Sequence, residues 1–352
     1  MNIGIAAHIT AAASGIGARR YDPSLTSSER SSIENGIWLC RGCDGMVDRD
    51  AVRFTAETLK SIRRDHTEFV RLGTPIEVDA GLIAIGPSIL AGGQVIKADE
   101  TGFVVHLSFF LEGSSDDLVA FVHRFDAHPP ISRYVLLSEL GLGGLLDRIP
   151  TVERDGTGWR MNFQWQSDAP RMPAADFSGM SRHTGALISG SEYWAQCFEM
   201  ALEQPPGTWF ANMEGGSHIS ELHDTLRGST WFEALVTCEI VRLACIPAPD
   251  SLGTRSNTCP QIPFVQRICG VKVFDADLPK DRLAIEVEAD LTGHGRWIGK
   301  LSLYIYDQES LRAERFKGQW MTENTRRIEN GERALPSPTP PADWSPDDGF
   351  SD

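Results

Sequence analysis

An α+β fold is predicted for this chain, with strands and helices gathered into separate stretches rather than alternating as βαβ units. Two stretches, residues 76–170 and 263–307, are dominated by short alternating or continuously apolar runs of strand length. Helical spacing of apolar residues is confined to four runs, 55–69, 116–125, 193–202 and 231–245. With 352 residues, 41% hydrophobic and 23% charged, the composition is that of an ordinary globular chain able to bury a core of its own.

The first unit expected is 1–73. It opens on a short apolar strand, passes through a loop rich in Ser, Arg and Pro, and continues into a second strand, Gly36-Ile-Trp-Leu-Cys40. A helix follows over 55–69, with Thr55 as its cap and Leu59, Ile62, His66 and Phe69 on one apolar stripe. Residues 72–75, Leu-Gly-Thr-Pro, end it. A β-rich α+β domain is expected over 78–200, with strands at Ile83-Ala-Ile, Phe103-Val-Val-His-Leu-Ser-Phe-Phe-Leu and Trp159-Arg-Met-Asn-Phe. A second α+β domain, 201–322, carries strands at Gly270-Val-Lys-Val-Phe, Leu283-Ala-Ile-Glu-Val-Glu and Trp297 to Tyr306. Beyond it, 323–352 is rich in Pro, Ser and Asp and reads as a disordered acidic tail. No internal repeat is present.

Charge divides unevenly. Residues 1–75 hold 10 Lys and Arg against 9 Asp and Glu, whereas the remainder holds 23 against 39. An acidic body of that size repels phosphate backbones, so any nucleic-acid contact is expected in the first unit and a protein partner is the expectation for the rest. No apolar run reaches the length of a membrane span, and the apolar N-terminus lacks the basic region of a signal peptide, so a cytoplasmic location is expected. Five of the seven cysteines are scattered in apolar surroundings and read as thiols, with Cys40 and Cys43 the one C-x-x-C pair.

The first unit holds an ordered series of features: Ala7-His8-Ile9, Arg19-Arg20-Tyr21-Asp22, Glu29-Arg30, Glu34-Asn35-Gly36-Ile37-Trp38-Leu39-Cys40, Cys43-Asp44, Val47-Asp48 and Phe54-Thr55. This series resembles the HNH endonuclease family, in the subgroup that reads AAHITAA followed by ENGIWLC and a second cysteine. The resemblance covers about one fifth of the chain. It implies a ββα-metal module and metal-dependent hydrolysis of DNA phosphodiester bonds, through residues 1–73, in the setting of bacterial defence or phage-related systems.

The resemblance makes His8 the general base and Asn35 the residue that orients or frames it. Imidazole titrates near neutrality and suits proton transfer from water, and a divalent ion, Mg²⁺ or Mn²⁺, would neutralise charge on the phosphate. Cys40 and Cys43 form half of a structural Zn²⁺ site. In the family the other two cysteines precede the strand that carries the histidine; His8 stands so near Met1 that they have no room, so either the start lies upstream or the zinc site has been lost. Asp44 stands where most HNH domains place a metal-binding histidine, and Asp48 is a second oxygen donor; either is a ligand or a residue of a solvated turn. Arg19, Arg20 and Arg41, with Arg63 and Arg64, are candidates for phosphate contact or for a solvated face. His66 reads as a core residue.

The rest of the chain carries no catalytic signature. A faint resemblance to the lysozyme-like baseplate wedge proteins of contractile phage tails rests on Arg133-Tyr-Val-Leu-Leu and Pro263-Phe-Val-Gln-Arg267-Ile. The function expected is that of an HNH endonuclease. The alternative is an HNH-derived module that no longer cuts and serves in nucleic-acid binding or assembly.

Overall fold

The fold is α+β, as the sequence predicts. The computed structural model describes residues 4–13, 18–40, 47–48, 50–71, 81–99, 102–166, 171–209, 213, 215–247, 259–274 and 281–336. The chain divides into two compact units, Met1–Glu77 and Val78–Asp352.

In the first unit β1 (Gly4–His8) pairs antiparallel with β2 (Gly36–Cys40), in a register that runs from Gly4 opposite Cys40 to His8 opposite Gly36. Between them lies α1 (Ser27–Ser31), held by a reciprocal cap in which Thr26 accepts from the Glu29 amide while the Glu29 side chain accepts from the Thr26 amide. The second strand is followed by α2 (Ala56–Arg71). Thr55 caps it as expected, its hydroxyl accepting from the Thr58 amide at 3.2 Å. The core is small: Ile9, Ile37, Val47 and Leu59 are buried, with Leu39, Phe54 and Ile62 packed at its margin. Period-two alternation puts Ile37 inside and leaves Trp38 70% exposed on the opposite face of the hairpin. The side chains of His66 and Phe69, and the terminator at 72–75, lie outside the described residues.

The second unit is built on a seven-stranded antiparallel sheet in the order β7-β6-β3-β4-β5-β9-β8. Its strands are β3 (Gly81–Ile85), β4 (Ile89–Asp99), β5 (Gly102–Glu112), β6 (Tyr134–Leu137), β7 (Leu142–Leu145), β8 (Thr151–Asp155) and β9 (Gly158–Phe163). One face packs Ile83, Ile85, Val105, Leu107, Val135 and Leu137 with Leu118 and Phe121 of α3 (Ser115–His123). The other face packs Ala84, Tyr134 and Leu136 into a second core around α6 (Phe232–Cys245). Beyond α6 lies a three-stranded sheet, β12 (Val265–Phe274), β13 (Arg282–Leu291) and β14 (Gly295–Tyr304). The strict alternation of Leu283, Ile285, Val287, Ala289 and Leu291 turns one face of β13 into that core. Two further helices, α4 (Ser191–Glu203) and α5 (Ile219–Leu226), a short hairpin of β10 (Ser178–Met180) with β11 (Leu187–Ser189), and the long α7 (Gln308–Glu329) complete the unit. Among the described residues no helix is long and apolar enough to cross a membrane.

Where the turn after β6 meets β12, the chains nearly touch. Gly141 has φ +59°, and a Cβ there would stand 1.5 Å from the Ile268 carbonyl oxygen. Only glycine fits both the left-handed backbone and the close approach. The approach is used: Ile268 donates to the Gly141 carbonyl at 3.1 Å, and Arg267 Nε donates to the Leu140 carbonyl at 2.8 Å.

Two expected boundaries need correcting. The division between 78–200 and 201–322 falls inside α4, and a single core joins residues from Tyr134 to Ile305 across it. The expected disordered tail from residue 323 begins inside α7, which continues to Glu329. Its last turns are polar and lack an apolar stripe; they are held by Glu323, which accepts from Arg326 Nε at 2.8 Å and from Arg327 Nε at 2.9 Å. Trp320 Nε1 donates to the Pro336 carbonyl at 2.7 Å, folding the following residues back on the helix. The rest of the tail, 337–352, lies outside the described residues.

Candidate active site

His8 is the last residue of β1, and its imidazole is exposed. Directly after it the chain is held by Asn35, which is 6% exposed and uses its whole amide. Asn35 Oδ1 accepts from the Thr10 amide at 2.9 Å and from the Thr10 hydroxyl at 2.8 Å. Its Nδ2 donates to the Thr10 carbonyl at 2.9 Å and to the Arg30 carbonyl at 2.8 Å. The Asn35 main-chain carbonyl accepts from the Ile9 amide at 2.9 Å. These contacts fix the backbone that leaves His8. Among the described residues no hydrogen bond joins Asn35 to the imidazole.

Arg20 departs from the expectation that it meets phosphate. Its side chain is 6% exposed. Nε donates to the Ile9 carbonyl at 3.0 Å, Nη1 to the Val47 and Phe54 carbonyls at 2.9 and 3.4 Å, and Nη2 to Asp48 Oδ1 at 3.4 Å. Arg20 therefore ties the end of β1, residues 47–48 and the approach to α2 to one another. Its own φ is +56°, a left-handed conformation that costs an ordinary side chain about 1–2 kcal/mol. Charge-assisted hydrogen bonds of this kind contribute about 1.5–3 kcal/mol each, so the contacts outweigh the strain. The sequence hid this role, because a buried arginine and a phosphate-binding one look alike until the carbonyls around it are placed.

Asp48 is drawn to the end of β1 by the same guanidinium. Its side chain is 63% exposed, and the second carboxylate oxygen has no partner among the described residues. Arg19 is exposed, as is Arg64. Arg63 reaches back to Glu34, with Nη2 3.0 Å from Oε2, and so ties α2 to the turn that leads into β2. Arg41, Cys43 and Asp44 lie outside the described residues; Cys40 ends β2, and its side chain lies outside them too.

Chemically, the described residues bring one exposed imidazole and one exposed carboxylate to the same strand end. The carboxylate suits a hard divalent ion, and the imidazole is the softer donor. They fall short in number, since among the described residues no three His, Cys, Asp or Glu side chains gather as a metal would need. Comparisons with protein-family models, with curated proteins and with solved structures return no match.

Proposed function

We propose that residues 1–73 form an HNH-type endonuclease that hydrolyses DNA phosphodiester bonds with Mg²⁺ or Mn²⁺. The observation that supports it best is the exposed imidazole of His8 at the end of a strand whose exit is clamped by Asn35 and Arg20, in a hairpin followed by a helix. His8 is the general base, taking a proton from the attacking water as a P–O bond of the phosphodiester breaks. A divalent ion, when bound with the help of Asp44 and Asp48, supplies charge neutralisation at the phosphate. Zn²⁺ at Cys40 and Cys43 belongs to the same reading as a structural ion. The exposed Arg19, with Arg41, meets the DNA backbone, while the acidic second unit stays away from it and takes a protein partner. A cytoplasmic setting, in a defence or phage-related system, is part of the proposal and is supported by the free thiols of Cys197, Cys238, Cys245, Cys259 and Cys269.

Replacing a general base costs about 10²–10⁴-fold in rate. His8→Ala should therefore abolish nicking of plasmid DNA with Mg²⁺ or Mn²⁺ and leave the melting temperature nearly unchanged, because the side chain is exposed. Equal cleavage by the variant would remove His8 from the mechanism. A companion panel sets wild type, Asp44→Ala and Asp44→His against Mg²⁺, Mn²⁺, Ni²⁺ and Co²⁺. With Asp44 as a ligand, Asp44→Ala is inert and Asp44→His cuts with a wider range of metals, since imidazole suits Ni²⁺ and Co²⁺ better than carboxylate does. Wild type that is inert with every metal, and regains cutting in Asp44→His, would instead identify a module that has given up catalysis.

A further inference from the structure

Within the second unit a cavity of about 540 Å³ opens between the seven-stranded sheet and helices α5 and α6. Its volume lies within the range of small-molecule sites, roughly 300–1,000 Å³. The walls are mostly aliphatic, with Ala84, Ile89 and Leu136 on the sheet side and Leu222, Leu235 and Ile246 on the helical side. Tyr134 of β6 and Arg242 of α6 both line it, near enough for the guanidinium charge to act on the phenol.

The polar groups of the lining are asymmetric in their hydrogen bonding. The carboxylates are engaged. Glu239 Oε1 accepts from the His218 amide at 2.6 Å and from Arg242 Nη2 at 2.7 Å, and its Oε2 accepts from Arg242 Nε at 2.9 Å. Glu221 is paired with Arg315 and with His218, and its Oε2 is buried away from the cavity. Glu112 is not free either. The groups left over are donors. Arg242 spends Nε and Nη2 on Glu239 and on the Gly216 carbonyl, whereas its Nη1 has no hydrogen-bond partner among the described residues. Tyr134 is 8% exposed, and its hydroxyl has no hydrogen-bond partner among the described residues. Neither atom is sealed from solvent, and both residues line the cavity. Burial pushes the Tyr134 phenol up to about 12, so at neutral pH it keeps the proton that it can donate. Two unpaired donors on largely buried side chains call for an acceptor from elsewhere, and a guanidinium N–H on an oxygen makes a charge-assisted bond.

We propose that this cavity binds a small molecule that carries an oxygen acceptor, a carbonyl or a carboxylate, on an apolar body. The oxygen accepts from Arg242 Nη1 and Tyr134 Oη, and the body rests on the aliphatic walls. The site is one of binding, not of catalysis. It is independent of the nuclease reading, since every group that forms it lies in the second unit.

The test uses the full chain and one apolar body with three heads: 3-phenylpropionamide, 3-phenylpropionate and 3-phenylpropylamine. Calorimetric titration should give a Kd of about 5 mM or tighter for the amide, the carboxylate or both. Binding of both identifies the oxygen itself as the feature recognised; binding of one alone identifies a neutral or an anionic ligand. The ammonium head has no acceptor to offer, so the amine should bind about tenfold more weakly or worse, as loss of a charge-assisted hydrogen bond implies. Tyr134→Phe should weaken the tighter oxygen probe about fivefold, the value of one neutral hydrogen bond. That variant should fold, because the hydroxyl it removes makes no hydrogen bond among the described residues. Arg242→Lys keeps a charge opposite Glu239 but removes Nη1, and it should weaken the same probe about tenfold or more. If Arg242→Lys does not fold, Tyr134→Phe decides the matter. No binding by either oxygen probe, amine binding as tight as theirs, or oxygen-probe binding untouched by Tyr134→Phe would overturn the proposal.

Discussion

At the scale of single residues, the first unit depends on two polar side chains more than on its few apolar ones. Asn35 makes four hydrogen bonds beside a core that, among the described residues, buries the apolar side chains of Ile9, Ile37, Val47 and Leu59. Asn35→Ala would leave the Thr10 amide and carbonyl unpaired, at a cost of about 2–4 kcal/mol for two buried groups. Denaturant unfolding, with protease sensitivity of residues 1–77 as the readout, should show that loss. An unchanged midpoint would mean that water replaces the amide. Arg20 and Arg19, adjacent in sequence, should part company in experiment. Arg20→Ala should destabilise the unit. Arg19→Ala should leave stability alone and, if DNA binds here, lower the salt dependence of binding by about one phosphate contact. The sequence held both arginines as equals. Asn35 stood out only through the resemblance, whereas the burial of Arg20 depends on three carbonyls that arrive from distant positions.

At the scale of elements, α6 is the spine of the second unit. Its length of 14 residues was legible from an apolar run with helical spacing, and so were β13 and β14 from their alternation. Strand β4 was not, because Gly92 and Gly93 interrupt its pattern; Gly92 is the flat spot on which the Phe109 ring of β5 rests. Helix α5 was missed for lack of length, at 8 residues. On α6 the Glu239 carboxyl has a measurable consequence. Burial alone would raise its pKa, but the Arg242 guanidinium and the His218 amide outweigh burial and hold it below the ordinary value of 4.5. A lowered folded-state pKa means that the stabilisation is complete above the unfolded value and is lost as pH falls through the folded one. The unfolding free energy of the second unit should therefore decline below about pH 4.5. Glu239→Gln should remove up to one proton from that dependence, a slope change of at most about 1.4 kcal/mol per pH unit. At neutral pH the same variant should cost about 3–5 kcal/mol, because it leaves Arg242 buried without its partner. An acid titration of stability that is identical in the two proteins would show that other carboxylates govern the decline.

At the scale of the whole molecule, the chain divides near residue 77, close to where a near-neutral segment of sequence gives way to an acidic one. The supposed boundary at 200 was a misreading with a physical origin. Strand-rich and helix-rich stretches look like separate domains in a sequence, yet one core here takes Tyr134 and Leu136 from the sheet, Phe198 from α4 and Leu303 from β14. A fragment of residues 78–200 should accordingly lack cooperative unfolding by circular dichroism, while 78–352 should melt in a single transition. Cooperative melting of the shorter piece would restore the two-domain division.

Strand β6 is only four residues long, yet it turns Val135 and Leu137 to one core and Tyr134 and Leu136 to the other. Neither layer can open without stripping one side of this strand. Its amides should exchange with deuterated solvent only through global unfolding, at a rate that tracks denaturant with the full m-value, whereas the amides of the edge strand β8 should escape by local fraying. The two halves of the second unit thus share a single clock for opening, set by four residues at the seam.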